Sequence, residues 1–480
     1  MPSRRSWSAK RSNSVTFSQR DIYQLYRRAP APLKAAGDAL YRFIPERFLR
    51  SRQTREKLAL LEDMQWWDDE RRDVWRLEKL RDLLIHAGTH VPYYRDLFRE
   101  RDFRPEEITA IQDISVLPVL TIDMVKTLGD RLLPDNSDRN DTYISASSGS
   151  TGRYLELRRD SSYYAWEQAF LLRYMRWHGV KLHWRYAIFY SAIMDAPVTG
   201  DDHPPYERFR NRLILSQFHT DDHSIDFYCD LLADFRPDHL TVSPTILLLF
   251  TRRCRRRGIA PPFVPRFFLC SAENLYEEHR REMEEYWGCP VYNRYGHNEG
   301  CVSAAECPAK GFHISTELGH AEFLRSDDSP AAAGESARII ATGFFTHAMP
   351  LIRYDTRDIA RYADARCSCG RALPLLDAID GRADDMILSH DGRQISAMRA
   401  VFSRTEGIRL TQIVQEVPGE IVIRIVPDEH YDERVKDVIL ENLHRDIGKD
   451  VLDVRFELVD DVERAPSGKI RLVRSYVQDR

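Results

Sequence analysis

With 480 residues, the chain is longer than one ordinary hydrophobic core accommodates, and two or three units are expected. An apolar content of 43% and a charged content of 30% are those of a globular protein, and a formal net charge of −4 gives no reason to expect a nucleic-acid partner. No apolar run approaches the roughly 20 residues of a membrane span, and the N-terminus lacks the apolar stretch of a secretory signal.

The first 20 residues are basic and serine-rich (Arg4, Arg5, Lys10, Arg11) and read as a polar tail. Residues 21–101 predict charged helices, with Trp66, Trp67 and Trp75 as anchors against the main body. From Arg185 to Tyr292, β-type runs (186–190, 267–269) alternate with helical ones (222–235, 277–286), the signature of α/β layering around a substantial sheet. The basic run from Arg252 to Arg257 lies in this stretch and reads as a solvated helix face. Near the C-terminus, 420–426 and 454–459 alternate like strands. Between them Val435, Val438, Ile439 and Leu443 take helical spacing. The expected fold class is therefore α/β: a large multi-layer α/β N-terminal body with a small α+β C-terminal lid. The divisions are an extension at 1–50, the body at 51–380 and the lid at 381–480. Eight unevenly spaced cysteines are too few for a disulfide scaffold and suit a reducing, cytoplasmic compartment.

Five segments carry chemistry. Ser147, Ser148, Gly149, Ser150, Thr151 and Gly152 form a loop of small hydroxyl residues and glycines able to close around phosphate oxygens. Alone it also fits a flexible linker. It is not a Walker A loop, since no Gly-Lys-Ser/Thr follows, and a P-loop NTPase is thereby disfavoured. The run Tyr292–Glu299 offers an aromatic (Tyr295), a glycine for close approach (Gly296), an amide (Asn298) and a carboxylate (Glu299) for Mg²⁺. Arg353–Asp358 ends in a carboxylate suited to a pair of ribose hydroxyls, although a surface ion-pair cluster would look the same. Gly381–Asp385 stands at the lid boundary, and Arg464–Lys469 is a Pro/Gly loop presenting one lysine.

In this order and spacing the segments resemble the adenylate-forming (acyl-CoA synthetase) superfamily. Within it, they resemble the branch of phenylacetate–coenzyme A ligases and CapK-like capsular-polysaccharide biosynthesis proteins. His90–Arg95, Leu117–Thr121 and Ser271-Ala272-Glu273 resemble further landmarks of that branch, so the likeness runs from about residue 80 to the C-terminus. The resemblance implies that Ser147–Gly152 hold the ATP phosphates. It implies that Ser271, Ala272 and Glu273 line the adenine pocket with Tyr295 stacked on the base, and that Glu299 ligates Mg²⁺. Asp358 would bind the ribose with Arg382 nearby, Asp384 would be the hinge, and Lys469 would reach from the lid to the reacting carboxylate. The implied reaction joins a carboxylic acid to ATP, giving acyl-AMP and pyrophosphate, and then transfers the acyl group to coenzyme A. Segments 170–177 and 186–194 are where the acid's side chain is expected to sit. Transfer to an amine, a sugar or a carrier-protein thiol is an alternative, because no residue specifies a coenzyme A pocket. A catalytically retired nucleotide-binding scaffold is another; retention of Glu299 and Lys469 argues against it. Two positions depart from the family pattern. Asn298 replaces the usual Ser or Thr, and Arg357 replaces the usual Gly before Asp358. If that backbone is left-handed, Arg357 costs on the order of 1 kcal/mol.

Cys307 and His313 are spaced C-x₅-H, and Cys367 and Cys369 follow as C-x-C-G. Three thiolates and an imidazole complete a tetrahedral zinc site, and the ligase branch implies a structural zinc here. Ordinary buried cysteines would be the plain alternative. The other five cysteines read as core or surface residues.

Overall fold

The computed structural model describes residues 43–136, 141–146, 155–190, 206–216, 222–382, 387–390, 394–395, 407–449, 451–464 and 472–477, with positions 30, 32–33, 40–41, 204 and 405. After a single helical turn at Glu46–Leu49 come three longer helices: α1 (Arg52–Met64), α2 (Asp69–His90) and α3 (Pro92–Glu100). Each starts on a local signal. Ser51 accepts from the Thr54 amide and Asp68 from the Arg71 amide, while α3 opens with Pro92 at its first position. After α4 (Ile122–Leu128) come the antiparallel pair β1 (Thr142–Ala146) and β2 (Glu156–Asp160), and then α5 (Ser161–Trp177). Asp160 ends β2 and caps α5 by accepting from the Tyr163 amide at 2.7 Å.

The parallel half follows with its helices and an antiparallel edge strand, β4: β3 (Tyr186–Tyr190), β4 (Tyr206–Phe209), β5 (Arg212–Ser216), α6 (Asp222–Phe235), β6 (His239–Val242), α7 (Pro244–Arg256), β7 (Phe267–Ser271), α8 (Glu277–Trp287) and β8 (Val291–Gly296). Strands β3, β5, β6, β7 and β8 pair in parallel, and their near-continuous apolar runs fit strands covered on both faces. Gly288 stops α8 in the left-handed region at φ +66°, where it returns its amide to the Glu284 carbonyl. From β8 onward the sheet turns antiparallel through β9 (Ser303–Glu306), β10 (Phe312–Ile314), β11 (Gly319–Leu324), β12 (Ala337–Gly343), β13 (Tyr354–Ala363) and β14 (Leu375–Arg382). The twelve strands run β11-β12-β13-β14-β10-β9-β8-β7-β6-β3-β5-β4.

One core lies between α1–α5 and the antiparallel half, and a second between α6–α8 and the parallel half. Trp67 and Trp75 pack against the first, as expected. Trp66 does not: it is 54% exposed and lies by Gly370 with the Arg371 guanidinium 5.4 Å from its ring. Buried Arg173 ties α5 into the body through Glu317 at 2.5 Å.

A short pair, β15 (Ile387–Leu388) with β16 (Gln394–Ile395), precedes a four-stranded sheet of β17 (Ile408–Val417), β18 (Glu420–Pro427), β19 (Asp453–Leu458) and β20 (Val473–Ser475), ordered β19-β18-β17-β20. Helix α9 (Arg434–Ile447) buries Val435, Ile439 and Leu443 against Ile413, Ile421, Ile423 and Ile425, a core of its own. The basic run on α7 is neutralised by acids, with Arg252 on Glu282, Arg255 on Glu285 and Arg257 on Asp226. Arg256 reaches Asp428 and Glu429 beyond β18. Among the described residues, no helix is long and apolar enough to cross a membrane.

Candidate functional site

Strand β8 carries the aromatic–glycine–carboxylate segment to the point where the sheet changes from parallel to antiparallel. Its start is fixed by Arg280 of α8, which donates to the Val291 carbonyl and, through two nitrogens, to Glu306 of β9 at 2.7 and 2.8 Å. Glu306 in turn accepts from the Asn293 amide. With β8 held, the Tyr295 hydroxyl donates to the Asp358 carboxylate at 2.6 Å. Two residues assigned from separate motifs thus meet directly.

Asp358 leaves an irregular stretch of β13. Between the pairs Ile340–Asp355 and Arg338–Ile359, β13 advances four residues while β12 advances two. Arg357 occupies this bulge at φ +60°, the left-handed backbone that its sequence position called in question. The turn is held by side chains: Asp355 accepts from the Arg357 amide at 2.8 Å and Thr356 from the Asp358 amide at 3.1 Å. Asp358 pairs with Arg382 across β13 and β14, which brings the fourth segment alongside.

Glu299 sits in the loop after β8. His297 Nδ1 lies 2.9 Å from one carboxylate oxygen and the Tyr354 hydroxyl 3.4 Å from the other. His297 Nε2 is buried and has no partner among the described residues. The loop backbone is gripped from the hairpin: Arg159 of β2, 1% exposed, donates to the carbonyls of Asn298 and Glu299 at 2.8 and 2.7 Å and lies over the Tyr163 ring. Gly300 follows at φ +67°, and a Cβ there would come 2.1 Å from the Tyr163 hydroxyl. Only glycine fits that position. Burial pushes the neighbouring Cys301 thiol up to about 12, so it stays protonated and is unsuited to nucleophilic work.

Ser271 ends β7 and pairs with Arg294. Ala272 takes φ +73°, and Glu273 accepts from the Thr245 amide in the first turn of α7. The Leu117–Thr121 segment is pinned by β13, since Leu120 and the 353–355 backbone exchange bonds of 2.8 and 3.0 Å, and Thr121 caps α4. Ser147–Gly152, Asp384 and Lys469 lie outside the described residues, and of Arg382 only the backbone is described. The first of these segments falls between β1 and β2, whose ladder closes with Ala146 opposite Glu156. Arg159, His297 and Tyr354 were not singled out from sequence. The available signal was that Arg159 shares the inward face of β2 with Leu157.

Cys307, His313, Cys367 and Cys369 converge, with their four donor atoms all within 4.8 Å of one another. The Cys307 and Cys367 sulfurs are 3.6 Å apart, and Cys369 Sγ is 3.2 Å from His313 Nε2. Tetrahedral Zn–S and Zn–N bonds give donor separations of roughly 3.6–3.8 Å. His313 Nδ1 faces the Leu373 carbonyl at 3.2 Å, which leaves Nε2 as the ligand atom. A Cβ on Gly311 would fall 2.4 Å from Cys367 Sγ, so the turn is shaped around the cluster. Burial, then the neighbouring Cys367 and Cys369 thiols, push the Cys307 thiol up to about 12, so a cation would be needed to hold it as thiolate. The donor set fits zinc.

Residues 387–476 match the family model of the CapK C-terminal domain. The chain is 22% identical over 426 residues to Protein CapK of Staphylococcus aureus, covering 83% of this chain and 88% of that protein. It is 26% identical over 352 residues to the phenylacetate-coenzyme A ligase of Pseudomonas putida, covering 69% and 75%. Among solved structures, 2-hydroxyisobutyryl-CoA ligase in its postadenylation state shares the fold, with a TM-score of 0.68 over 86% of this chain and 91% of that one at 17% identity.

Proposed function

We propose that this chain, which belongs to the adenylate-forming branch of CapK- and phenylacetate–coenzyme A ligase-like proteins, activates a carboxylic acid with ATP as its acyl-AMP and passes the acyl group to coenzyme A. One observation carries the reading: Tyr295 and Asp358, 63 residues apart in sequence, meet at the end of β8, while Tyr354 of the same strand as Asp358 reaches Glu299.

In this reading Tyr295 stacks on the adenine and Asp358 takes the ribose hydroxyls. The 2.6 Å bond between them sets both side chains before the nucleotide arrives. Ser147–Gly152 hold the phosphates, and Arg159 couples the hairpin bearing that loop to the Glu299 backbone. Mg²⁺ held by Glu299 supplies neutralisation of phosphate charge. His297 and Tyr354 orient the Glu299 carboxylate. Lys469 offsets the negative charge that builds as the acid's carboxylate attacks the α-phosphate. Residues 381–480 act as a lid turning about Asp384, which withdraws Lys469 before the thiol enters. Cys307, His313, Cys367 and Cys369 hold a structural zinc that staples β9–β10 to the loop before β14.

The test is pyrophosphate release from ATP and Mg²⁺ across a panel of carboxylic acids, with Lys469→Ala as control. Acid-dependent release that collapses in the variant is expected. Adding coenzyme A, an amine, a sugar or a carrier-protein thiol then identifies the acceptor, with thioester formation expected. Absence of both acid-dependent release and ATP binding would instead leave a retired scaffold.

A further inference from the structure

Strand β8 shows different faces to different neighbours. Tyr295 pairs with Ala304 and packs toward the first core, on the side of Asp358. Arg294 pairs with Ser271 and Ala305 and faces α5. Arg294 is intermediate in exposure, and its electrostatic surroundings are Tyr174, Glu167 and Tyr163, all on α5. Among the described residues, its guanidinium makes no hydrogen bond and no ion pair. A part-exposed guanidinium without a protein partner is open to a ligand, whereas enclosed ones find a carboxylate or carbonyl. Elsewhere in this chain Arg159, Arg173 and Arg280 do so.

A second, independent observation points to the same place. Tyr174 is 3% exposed, and its hydroxyl is buried without a partner. On α5, Tyr163, Glu167 and Tyr174 are spaced i, i+4 and i+11, so they share the stripe turned toward Arg294. Burial pushes the Tyr174 pKa up, so its O–H is kept, and among the described residues neither that O–H nor the part-exposed Arg294 guanidinium has an acceptor. Glu167, exposed on the same stripe, is close enough to Arg294 to be felt but makes no hydrogen bond to it. This side of α5 also borders the Glu299 loop, because Tyr163 lies directly under Gly300.

We infer that Arg294 and Tyr174 recognise the distal end of the activated acid, so that the acid carries an oxygen acceptor beyond its reacting carboxylate. The inference rests on the adenylation reading above. An acid entering between α5 and β8 presents its carboxylate at Glu299, on the nucleotide side, and its far end between the two unsatisfied donors. A purely hydrocarbon side chain would leave both unpaired, and sites built around such donors reject apolar analogues strongly. The acceptor is a second carboxylate, or the oxygen of a hydroxyl or amide whose O–H or N–H can also donate to Glu167.

The test compares matched acids by calorimetry: pentanoate, glutarate, 5-hydroxypentanoate and glutaramate, and in the aryl series phenylacetate, 4-hydroxyphenylacetate and 4-carboxyphenylacetate. In at least one series a polar member should bind at least about tenfold tighter than the apolar one. Arg294→Met should abolish that preference while leaving ATP affinity unchanged. Tyr174→Phe, which removes one oxygen, should reduce it and guards against loss of folding in the arginine variant. The dicarboxylate and the hydroxyl or amide arms distinguish the two kinds of acceptor. Equal or tighter binding of the apolar acids, or a preference that survives both variants, overturns the inference. Pyrophosphate release measured on the same panel bears separately on adenylation: release with apolar acids alone would refute the Arg294–Tyr174 assignment and leave the reaction class standing.

Discussion

Replacing Arg357 by glycine should stabilise the protein, although it deletes a long side chain beside a proposed nucleotide site. An L-residue held in the left-handed region costs about 1–2 kcal/mol. Glycine removes that cost but gives back about 0.4–1 kcal/mol through greater freedom of the unfolded chain. The net gain is about 1 kcal/mol. Arg357 stands at φ +60° between the Asp355 and Thr356 bonds that define the bulge, and those bonds use backbone amides and neighbouring side chains, so glycine keeps them. Arg357→Ala separates backbone from side chain: it retains the strained Cβ and should change stability by under about 0.5 kcal/mol. Urea unfolding followed by tryptophan fluorescence is the appropriate assay. At about 2.1 cal/mol/K per residue, the same energy moves the melting temperature of a 480-residue chain by only about 1 °C. A glycine variant no more stable than the alanine variant would refute the reasoning. ATP binding adds a second readout, since any side-chain contact to the nucleotide must be lost equally in both.

Gly300→Ala should cost more than about 2 kcal/mol and abolish acid activation, because its Cβ meets the Tyr163 ring at 2.7 Å or less and its φ is positive; normal urea stability would contradict this. Tyr295→Phe loses the bond to Asp358 and should raise the ATP dissociation constant about five- to tenfold, read by calorimetry. Elemental analysis should find one zinc per chain. Chelation, or Gly311→Ala with its Cβ against Cys367, should lower both the zinc content and the unfolding temperature. Stability should fall with acid. Burial pulls His178 and His239 down to about 4 and His320 to about 3 from 6.5, so the unfolded chain takes up protons first. The stability they confer is complete above pH 6.5 and drains away toward pH 4. A urea midpoint flat between pH 7 and 5 would rule this out.

The elements read from sequence were those whose signals are local. The helix read at 222–235 spans Asp222–Phe235, and the one read at 277–286 runs a single residue further before Gly288 stops it. In the C-terminal sheet, the strand read at 420–426 ends at Pro427, and the Val435–Leu443 spacing lies inside α9. The meeting of Cys307, His313, Cys367 and Cys369 was also legible, because cysteines are few enough for their spacing to stand out. Burial of charge was not legible. Whether an arginine is solvated or enclosed depends on partners far away in sequence, so Arg159 looked like any other basic residue of β2. Trp66 looked like an anchor and lies half-exposed at the surface beside Gly370 and Arg371. The register of β7 against β8, which sets Ser271 beside Arg294, rests on pairing across the sheet and leaves no trace in either strand alone.

The pleat of β8 has a consequence for how such a protein can change. Tyr292 and Arg294 turn to one side while Tyr295, one step along the same backbone, turns to the other. A point substitution at 294 can retune what lies against α5 without disturbing the tyrosine that holds Asp358. A single-residue insertion or deletion would exchange the two roles and lose both. Drift by substitution is therefore tolerated in this strand, and drift by length is not.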